Sequence, residues 1–142
     1  IGKRLDGRWQ RLYSFMRIGT SVSKSVENYN SGGVLCVVND GHFCGGHVLD
    51  FNNFNDIHID RHPDSGLLLK GEIPLWSEVE TAAAMLVKLL PQMTYLGIDF
   101  CITNRSEVKI IEINSLSSLD SFQTEGSILE QPGGGFFKER MK

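Results

Sequence analysis

The sequence predicts an α+β domain in which an antiparallel sheet packs against one main helix. Two hairpin patterns predict the sheet, one centred on Asp40-Gly41 and one spanning residues 94–114. One amphipathic stretch, residues 77–90, predicts the helix. Because a hairpin joins neighbouring strands that run in opposite directions, we expect the sheet to be antiparallel. Residues 1–142 are expected to form a single domain, which is long enough to bury a core.

The composition excludes several classes of protein. Of the 142 residues, 41% are hydrophobic and 22% are charged, which argues against a disordered or fibrous chain. A net charge of -3 without a basic stripe gives no reason to expect a nucleic acid partner. No apolar run is long enough for a membrane span and none resembles a signal peptide, so we expect no membrane partner and a cytoplasmic location. The cysteines are 3 in number and lack paired metal spacing, which indicates reduced thiols.

The first strand is expected within residues 12–20, after a charged segment that contains a turn at Asp6-Gly7. Arg17 interrupts the apolar side chains of this strand with a permanent positive charge. A polar loop follows at residues 21–31, and a Gly-Gly pair ends it. From the residues alone, Arg17 can be interpreted as a strand-end side chain facing water and the glycines as a turn.

The hairpin around Asp40-Gly41 is predicted to join Val34–Asn39 to residues 42–50. An Asp-Gly pair between two apolar runs favours a type I′ turn, which has two residues at positive φ. In that register Cys44 lies opposite Val37, on the sheet face away from Cys36. The two cysteines are therefore expected to form no disulfide.

Residues 51–66 are aromatic and rich in asparagine, so we expect an irregular loop. If extended, this segment would place His58, Asp60 and His62 on one side, at a spacing that suits a transition metal. We reject such a site because a loop rarely fixes three ligands without supporting contacts.

A short strand at residues 67–70 and a turn at residues 71–76 are expected to lead into the helix. Ser77 and Glu80 have the spacing of a capping box, with Ser77 as the N-cap. Pro91 ends the helix because proline cannot continue it. The apolar residues at helical spacing, expected to pack on the sheet, are Val79, Ala82, Ala83, Leu86, Leu89 and Leu90.

The second hairpin joins two β-rich runs across a predicted four-residue loop, residues 104–107. In this register Asp99 lies opposite Glu112, and Phe100 lies opposite Ile111. The apolar face, which we expect to be core, consists of Ile98, Phe100, Ile102, Ile111 and Ile113.

The other face of this hairpin presents oxygen atoms at one end, because side chains alternate along a strand. Asp99, Glu112 and Asn114 project there together. Two carboxylates about 4 Å apart repel by about 1 kcal/mol in water and about 4 kcal/mol at a protein surface, and a cation reverses the sign. Such hard donors suit Mg²⁺ or Mn²⁺, with waters and substrate phosphates as further ligands. The alternative is a rim of solvated acids in which Asn114 starts a turn.

The two short motifs GID (97–99) and EIN (112–114), joined by a short hairpin, resemble the metal-binding end of the ATP-grasp superfamily. The superfamily consists of ATP-dependent carboxylate ligases and includes enzymes that add glutamate to peptides. A narrower resemblance is to the sugar-transfer-associated ATP-grasp proteins. It lies in RHPDSG (61–66), GEIPLW (71–76), YLGID (95–99), IIEIN (110–114) and Gln123.

The resemblance implies the C-terminal half of an ATP-grasp fold that acts with ATP and Mg²⁺ or Mn²⁺. Asp99, Glu112 and Asn114 would be the metal ligands. Arg17 would contact the nucleotide phosphates as a catalytic and ATP-binding residue. Asn28 precedes a double glycine as in the glutamate-adding ligases, which would place it near the phosphates. The segment 61–66 would serve either the fold or the second substrate.

The implied reaction transfers the γ-phosphoryl group of ATP to a carboxylate, and an amine then attacks the acylphosphate. The partners would be small-molecule or peptide carboxylate and amine substrates, and the N-terminal ATP-grasp subdomain that the resemblance does not cover. Because residue 1 is Ile1 rather than Met, we expect the chain to be a piece of a longer protein. Two alternatives stay open: a noncatalytic binding or scaffold module associated with sugar transfer, and a metal-dependent hydrolase that uses the same carboxylates.

Overall fold

The computed structural model describes residues 1–124 and 126–141, without the side chains of Asp120 and Phe122. Over this range the chain is mixed α+β, with antiparallel sheets and two helices, which confirms the predicted fold class. The chain divides into two compact units. The first unit comprises Ile1–Tyr13 and Pro74–Lys142, and the second unit comprises Ser14–Ile73.

The strands and helices have the following bounds in chain order. The strands are β1 (Gly2–Lys3), β2 (Trp9–Gln10), β3 (Phe15–Ile18), β4 (Val34–Asn39), β5 (His42–Cys44), β6 (Gly46–Asp50), β7 (Asn55–Ile59), β8 (Lys70–Glu72), β9 (Gly97–Ile102) and β10 (Val108–Asn114). The helices are α1 (Trp76–Leu89) and α2 (Gly134–Arg140), and short 3-10 helices lie at Tyr29–Ser31 and Asp120–Gln123.

The second unit is built on a sheet in which β4 is central among the strands described. The strands follow the order β7-β6-β4-β5-β8, and β3 also pairs with β4. The predicted turn at Asp40-Gly41 is confirmed, since φ is 48° at Asp40 and 82° at Gly41. The core beneath the sheet consists of Val34, Cys36 and Leu69, against which Met16, Ile18, Phe43, Val48 and Ile59 pack.

The strand expected at residues 42–50 is interrupted at Gly45, where φ is +76°. Before the break β5 pairs with β8, and after it β6 pairs with β7. The predicted register of this hairpin is confirmed, since Val38 lies opposite Phe43 and Asn39 lies opposite His42. On its other edge β5 pairs with β8, where Cys44 lies opposite Lys70. Cys36 is a buried free thiol, and burial raises its pKa to about 11.

The irregular loop expected at residues 51–66 contains a strand, so that prediction is wrong in part. Asn55–Ile59 pairs along its whole length with β6, after a tight turn that ends at Phe54 with φ of +53°. Ile57 and Ile59 alternate with polar side chains, as a strand requires, but the asparagines before them obscured the pattern. The strand expected at residues 67–70 begins only at Lys70 and ends at Glu72.

Helix α1 confirms the predicted helix, but its predicted start and packing need correction. The N-cap is Leu75, with φ of 54°, and no side chain caps the helix. Ser77 instead lies in the first turn, where its hydroxyl donates to Glu78. Leu89, which was expected to pack on the sheet, is 74% exposed, whereas Val87 is buried.

In the first unit, the N-terminal segment runs beside the residues that lead into β9. Gly2 bridges to Tyr95, and the backbone N–H of Lys3 donates to Thr94. Phe136 of α2 packs so closely on Gly2 that a Cβ there would overlap the Phe136 ring. These contacts fix the start of the hairpin formed by β9 and β10.

Candidate functional site

The β9–β10 hairpin has the predicted register at its open end. Asp99 lies opposite Glu112, Ile98 opposite Ile113, and Asn114 opposite Gly97. Directly paired residues of an antiparallel ladder point to the same face, as do residues two apart on one strand. Asp99, Glu112 and Asn114 therefore share one face of the hairpin, which we call the oxygen face.

Towards the loop, the predicted register is wrong by one residue. Phe100 lies opposite Ile110 rather than Ile111, and the pairing shifts between Ile110 and Glu112. Ile111 is thus the extra residue of a β-bulge, in which one strand has one more residue than its partner.

The loop explains this shift, because it is one residue shorter than predicted. The backbone N–H of Thr103 donates to the carbonyl of Glu107 at 2.9 Å, so these residues close the loop. Ser106 has φ of +58°, as expected for the last residue of a three-residue hairpin loop. The shorter loop shifts the register by one residue, and the bulge shifts it back, so that Asp99 still lies opposite Glu112.

The apolar face of the hairpin is not the buried core that the sequence predicted. Ile111 is 66% exposed and Ile113 is 41% exposed. Ile98, Phe100 and Ile102 on β9 are half-buried. The alternation was correctly identified, but the isoleucines of β10 are exposed.

The oxygen face is open and negatively charged. Glu112 is exposed, while Asp99 and Asn114 are half-buried. Among the ion pairs of the described residues, none involves Glu112. The register sets the carboxylates of Asp99 and Glu112 directly opposite each other, and opposed like charges destabilise a sheet.

A serine that the sequence analysis did not identify lies at the end of the oxygen face. Ser117 is folded over Gly97 so closely that a Cβ at position 97 would overlap its hydroxyl oxygen. The hydroxyl of Tyr95 donates to the Ser117 carbonyl at 3.4 Å. The chain after Asn114 therefore turns back over the hairpin, and only glycine at position 97 leaves room for it. No spacing rule would have found Ser117, because its position depends on a turn outside the strands.

The side chains of the oxygen face fit a hard divalent cation by their chemistry. Two carboxylates and an amide carbonyl are the donors that Mg²⁺ accepts in proteins, with waters and phosphates completing its shell. Among the described residues, no group of three or more His, Cys, Asp or Glu side chains could hold a metal ion. A cation at Asp99, Glu112 and Asn114 would take its remaining ligands from waters or phosphates.

Arg17 and Asn28 lie in the second unit. Arg17 is exposed on β3 and pairs with Leu35, while Met16 and Ile18 point to the opposite face and pack on the core. Asn28 is exposed and precedes the 3-10 helix.

The backbone around Asn28 is held by a tight turn. The Asn28 carbonyl accepts hydrogen bonds from the N–H groups of Ser31 and Gly33, each at 3.0 Å. Gly32 has φ of +96°, which a larger residue rarely adopts. A Cβ at Gly33 would lie 2.8 Å from the carbonyl oxygen of Glu27, so both glycines are needed for this turn.

The sheet register relates Arg17 to the segment that bears Asn28. Leu35 pairs with both Arg17 and His47, and His47 pairs with His58, so these side chains share one face of the sheet. We call the sheet face that bears Arg17, His47 and His58 the arginine face. Tyr29, the residue after Asn28, contacts Asp56 two residues before His58 on the same strand. Arg17 and the helix after Asn28 thus belong to one face of the second unit.

The segment 61–66 has a structural role in the second unit. His62 Nε2 donates to the Gly19 carbonyl at 2.9 Å, and Asp64 accepts from the N–H and hydroxyl of Ser21, both at 2.7 Å. The hydrogen bonds from Ser21 hold the pKa of Asp64 below its usual value. The segment therefore fixes the chain just after β3, the strand that contains Arg17.

Two structural features indicate the family of this chain, namely its antiparallel α+β fold and the register of the β9–β10 hairpin. An antiparallel α+β chain that presents Asp99 opposite Glu112, with Asn114 on the same face, has the features of an ATP-grasp protein. A family model for sugar-transfer associated ATP-grasp matches residues 5–131. The chain belongs to the sugar-transfer associated ATP-grasp family.

Other comparisons add no relatives. No curated protein and no solved structure matches the chain. Within the part of the chain that the structure describes, no helix is long and apolar enough to cross a membrane.

Proposed function

We propose that this chain supplies metal- and nucleotide-binding side chains to an ATP-dependent carboxylate-amine ligase-like enzyme. The observation that supports the proposal is the register of β9 and β10, which pairs Asp99 with Glu112 and places Asn114 on the same face. The family match makes this arrangement relevant to ATP, since ATP-grasp proteins generally bind ATP and Mg²⁺.

Each proposed residue has a role that follows from its chemistry. Asp99, Glu112 and Asn114 would hold Mg²⁺ or Mn²⁺, which when bound neutralises charge on the β and γ phosphates. Arg17 would donate to phosphate oxygens through its planar guanidinium group. The Asn28 side-chain amide would donate to the phosphates as well.

The reaction would proceed in two steps on a small-molecule or peptide substrate. A carboxylate oxygen forms a bond to the γ phosphorus, and ADP leaves. An amine then attacks the acyl carbon, forms an amide, and expels inorganic phosphate. No nucleophilic side chain is required, so the protein contributes positioning and charge stabilisation.

The proposal is tested by calorimetric titration of ATP into the full chain with and without Mg²⁺. Glu112→Gln should weaken Mg²⁺-dependent ATP binding by at least about tenfold, because it removes a charged ligand. Glu107→Gln is the matched control, since Glu107 is an exposed acid of the same hairpin that pairs with Lys109 at 3.0 Å. Equal ATP affinity in Glu112→Gln and the unsubstituted chain would contradict the proposal.

A further inference from the structure

A polar network with two buried members joins the helix after Asn28 to the β6–β7 hairpin of the second unit. The hydroxyl of Tyr29 donates to Asp56 Oδ1 at 2.5 Å. The other carboxylate oxygen, Oδ2, lies 2.5 Å from His47 Nδ1. Tyr29 is 8% exposed and His47 is 7% exposed. Asp56 therefore connects two buried side chains that are distant in sequence.

The hydrogen-bonding roles in this network follow from the chemistry of its members. A carboxylate only accepts hydrogen bonds, so His47 carries its proton on Nδ1. Burial, together with the bond to Asp56, raises the pKa of Tyr29 far above its usual value, which keeps the hydroxyl a donor. Asp56 itself is exposed, but each of its carboxylate oxygens contacts a buried side chain.

A second histidine packs against the network. His58 meets His47 edge to face, with ring centroids 5.2 Å apart. His58 also lies so close to Gly45 that a Cβ there would overlap its ring. The break in the sheet at Gly45 therefore makes room for this histidine pair on the arginine face.

Tyr29 is the member of the network that is adjacent in sequence to Asn28, the proposed phosphate-binding residue. It is buried, whereas its neighbours Asn28 and Asn30 are exposed. The carbonyl of Tyr29 also accepts from the N–H of Gly32 at 3.0 Å. A side chain held at its tip by Asp56 thus fixes the backbone that presents Asn28 and the double glycine.

We propose that Asp56, supported by His47, is a positioning residue for nucleotide binding, because it holds Tyr29 and so orders the Asn28–Gly33 turn on the arginine face. That the ligand is a nucleotide rests on the proposed function, whereas the ordering of the turn by Asp56 is independent of it. A turn ordered before binding loses less conformational freedom when a phosphate group arrives.

Hydrogen exchange tests the ordering without any ligand. Asp56→Asn and Tyr29→Phe should each speed exchange of the Gly32 and Gly33 amides by about tenfold or more, because the turn opens more often. Amides of β9 and β10 should be unchanged. Asp50→Asn is the matched control, since Asp50 is a β6 carboxylate that accepts hydrogen bonds from Asn52 and Asn53 of the following turn.

Calorimetry of ATP with Mg²⁺ then tests the effect on binding. Both variants should weaken ATP affinity by about tenfold, while the ratio of affinities with and without Mg²⁺ stays that of the unsubstituted chain. A variant that melts at lower temperature but keeps slow Gly32 and Gly33 exchange and full affinity would overturn the proposal.

The outcomes separate this inference from the proposed function. If the unsubstituted chain binds no ATP, the proposed function is wrong. The ordering of the Asn28–Gly33 turn by Asp56 is wrong only if the Gly32 and Gly33 amides exchange at the same rate in the variants as in the unsubstituted chain. If Asp56→Asn does not fold, Tyr29→Phe decides the question, because it removes one hydroxyl and leaves Asp56 bonded to His47.

Discussion

The oxygen face of the first unit and the arginine face of the second unit are organised by opposite electrostatics. On the oxygen face, Asp99 and Glu112 oppose each other, and Glu112 has no basic partner among the residues described. On the arginine face, Asp56 is bonded to Tyr29 and His47, both of them buried. The Asp56 carboxylate orders the protein itself, whereas the carboxylates of the oxygen face are the ones we propose to bind a ligand.

The two arrangements differ in the partners of their carboxylates. A fully bonded carboxylate between buried groups gains nothing from a cation, whereas a pair of opposed carboxylates does. Replacing an acid should therefore lower stability at Asp56 and raise the stability of the metal-free chain at Glu112.

Asp56→Ala should lower the free energy of unfolding by about 3 kcal/mol, because it leaves the buried Tyr29 hydroxyl and His47 ring without their acceptor. Urea denaturation followed by circular dichroism measures the change. Asp50→Ala, at the end of β6, should cost less than about 1 kcal/mol, because the Asp50 side chain bonds only neighbouring turn residues among those described. Equal losses for the two variants would show that Asp56 is an ordinary surface acid.

Gly97→Ala should destabilise the first unit by about 2 kcal/mol, because the added methyl group overlaps Ser117. Ser117→Gly in the same chain should restore most of the loss, since it removes the overlapping side chain. A double-mutant cycle by urea denaturation measures the coupling between the two positions. Strictly additive effects would refute the close contact of Ser117 with Gly97.

Glu112→Gln should raise the stability of the metal-free chain by about 0.2–1 kcal/mol, because it removes the repulsion with Asp99. The same variant should lose the stabilisation that Mg²⁺ and ATP together give the unsubstituted chain. Thermal unfolding with and without both ligands gives the two values. A metal-free variant that is less stable than the unsubstituted chain would mean that Glu112 already has a favourable partner.

Turn chemistry and alternation made much of the fold predictable from the sequence. Asp40-Gly41 specifies a turn in which both residues have positive φ, and the structure has it. Helix α1 follows from apolar spacing, but its start does not, because Leu75 adopts a left-handed conformation that the Ser77 pattern gave no reason to expect. Strand β7 was missed because tertiary pairing with β6 overrides a sequence that is locally typical of loops.

The pairing of Asp99 with Glu112 was predicted correctly, although the loop and the strand geometry from which it was derived were partly wrong. The loop was predicted one residue too long and the bulge at Ile111 was not foreseen, and the two errors cancel at Asp99 and Glu112. The roles of these residues, and those of Asn114, Arg17 and Asn28, remain predictions that the titrations above test.

The remaining features depend on contacts between distant segments. The Tyr29–Asp56 bond joins residues 27 positions apart, and no local pattern encodes it. Ser117 lies outside the strand that precedes it. Single-sequence periodicity describes neighbours along an element, so it cannot report contacts of this kind.

Because of the bulge at Ile111, the length of the hairpin loop and the register of Asp99 with Glu112 depend on each other. With the three-residue loop and no bulge, Asp99 would lie opposite Ile111, and Glu112 would point away from it. A loop one residue longer without the bulge would bring both acids to the same side again. The hairpin can therefore tolerate one inserted residue at 104–106 when the bulge residue of β10 is deleted at the same time. Either change alone would place Asp99 and Glu112 on opposite faces.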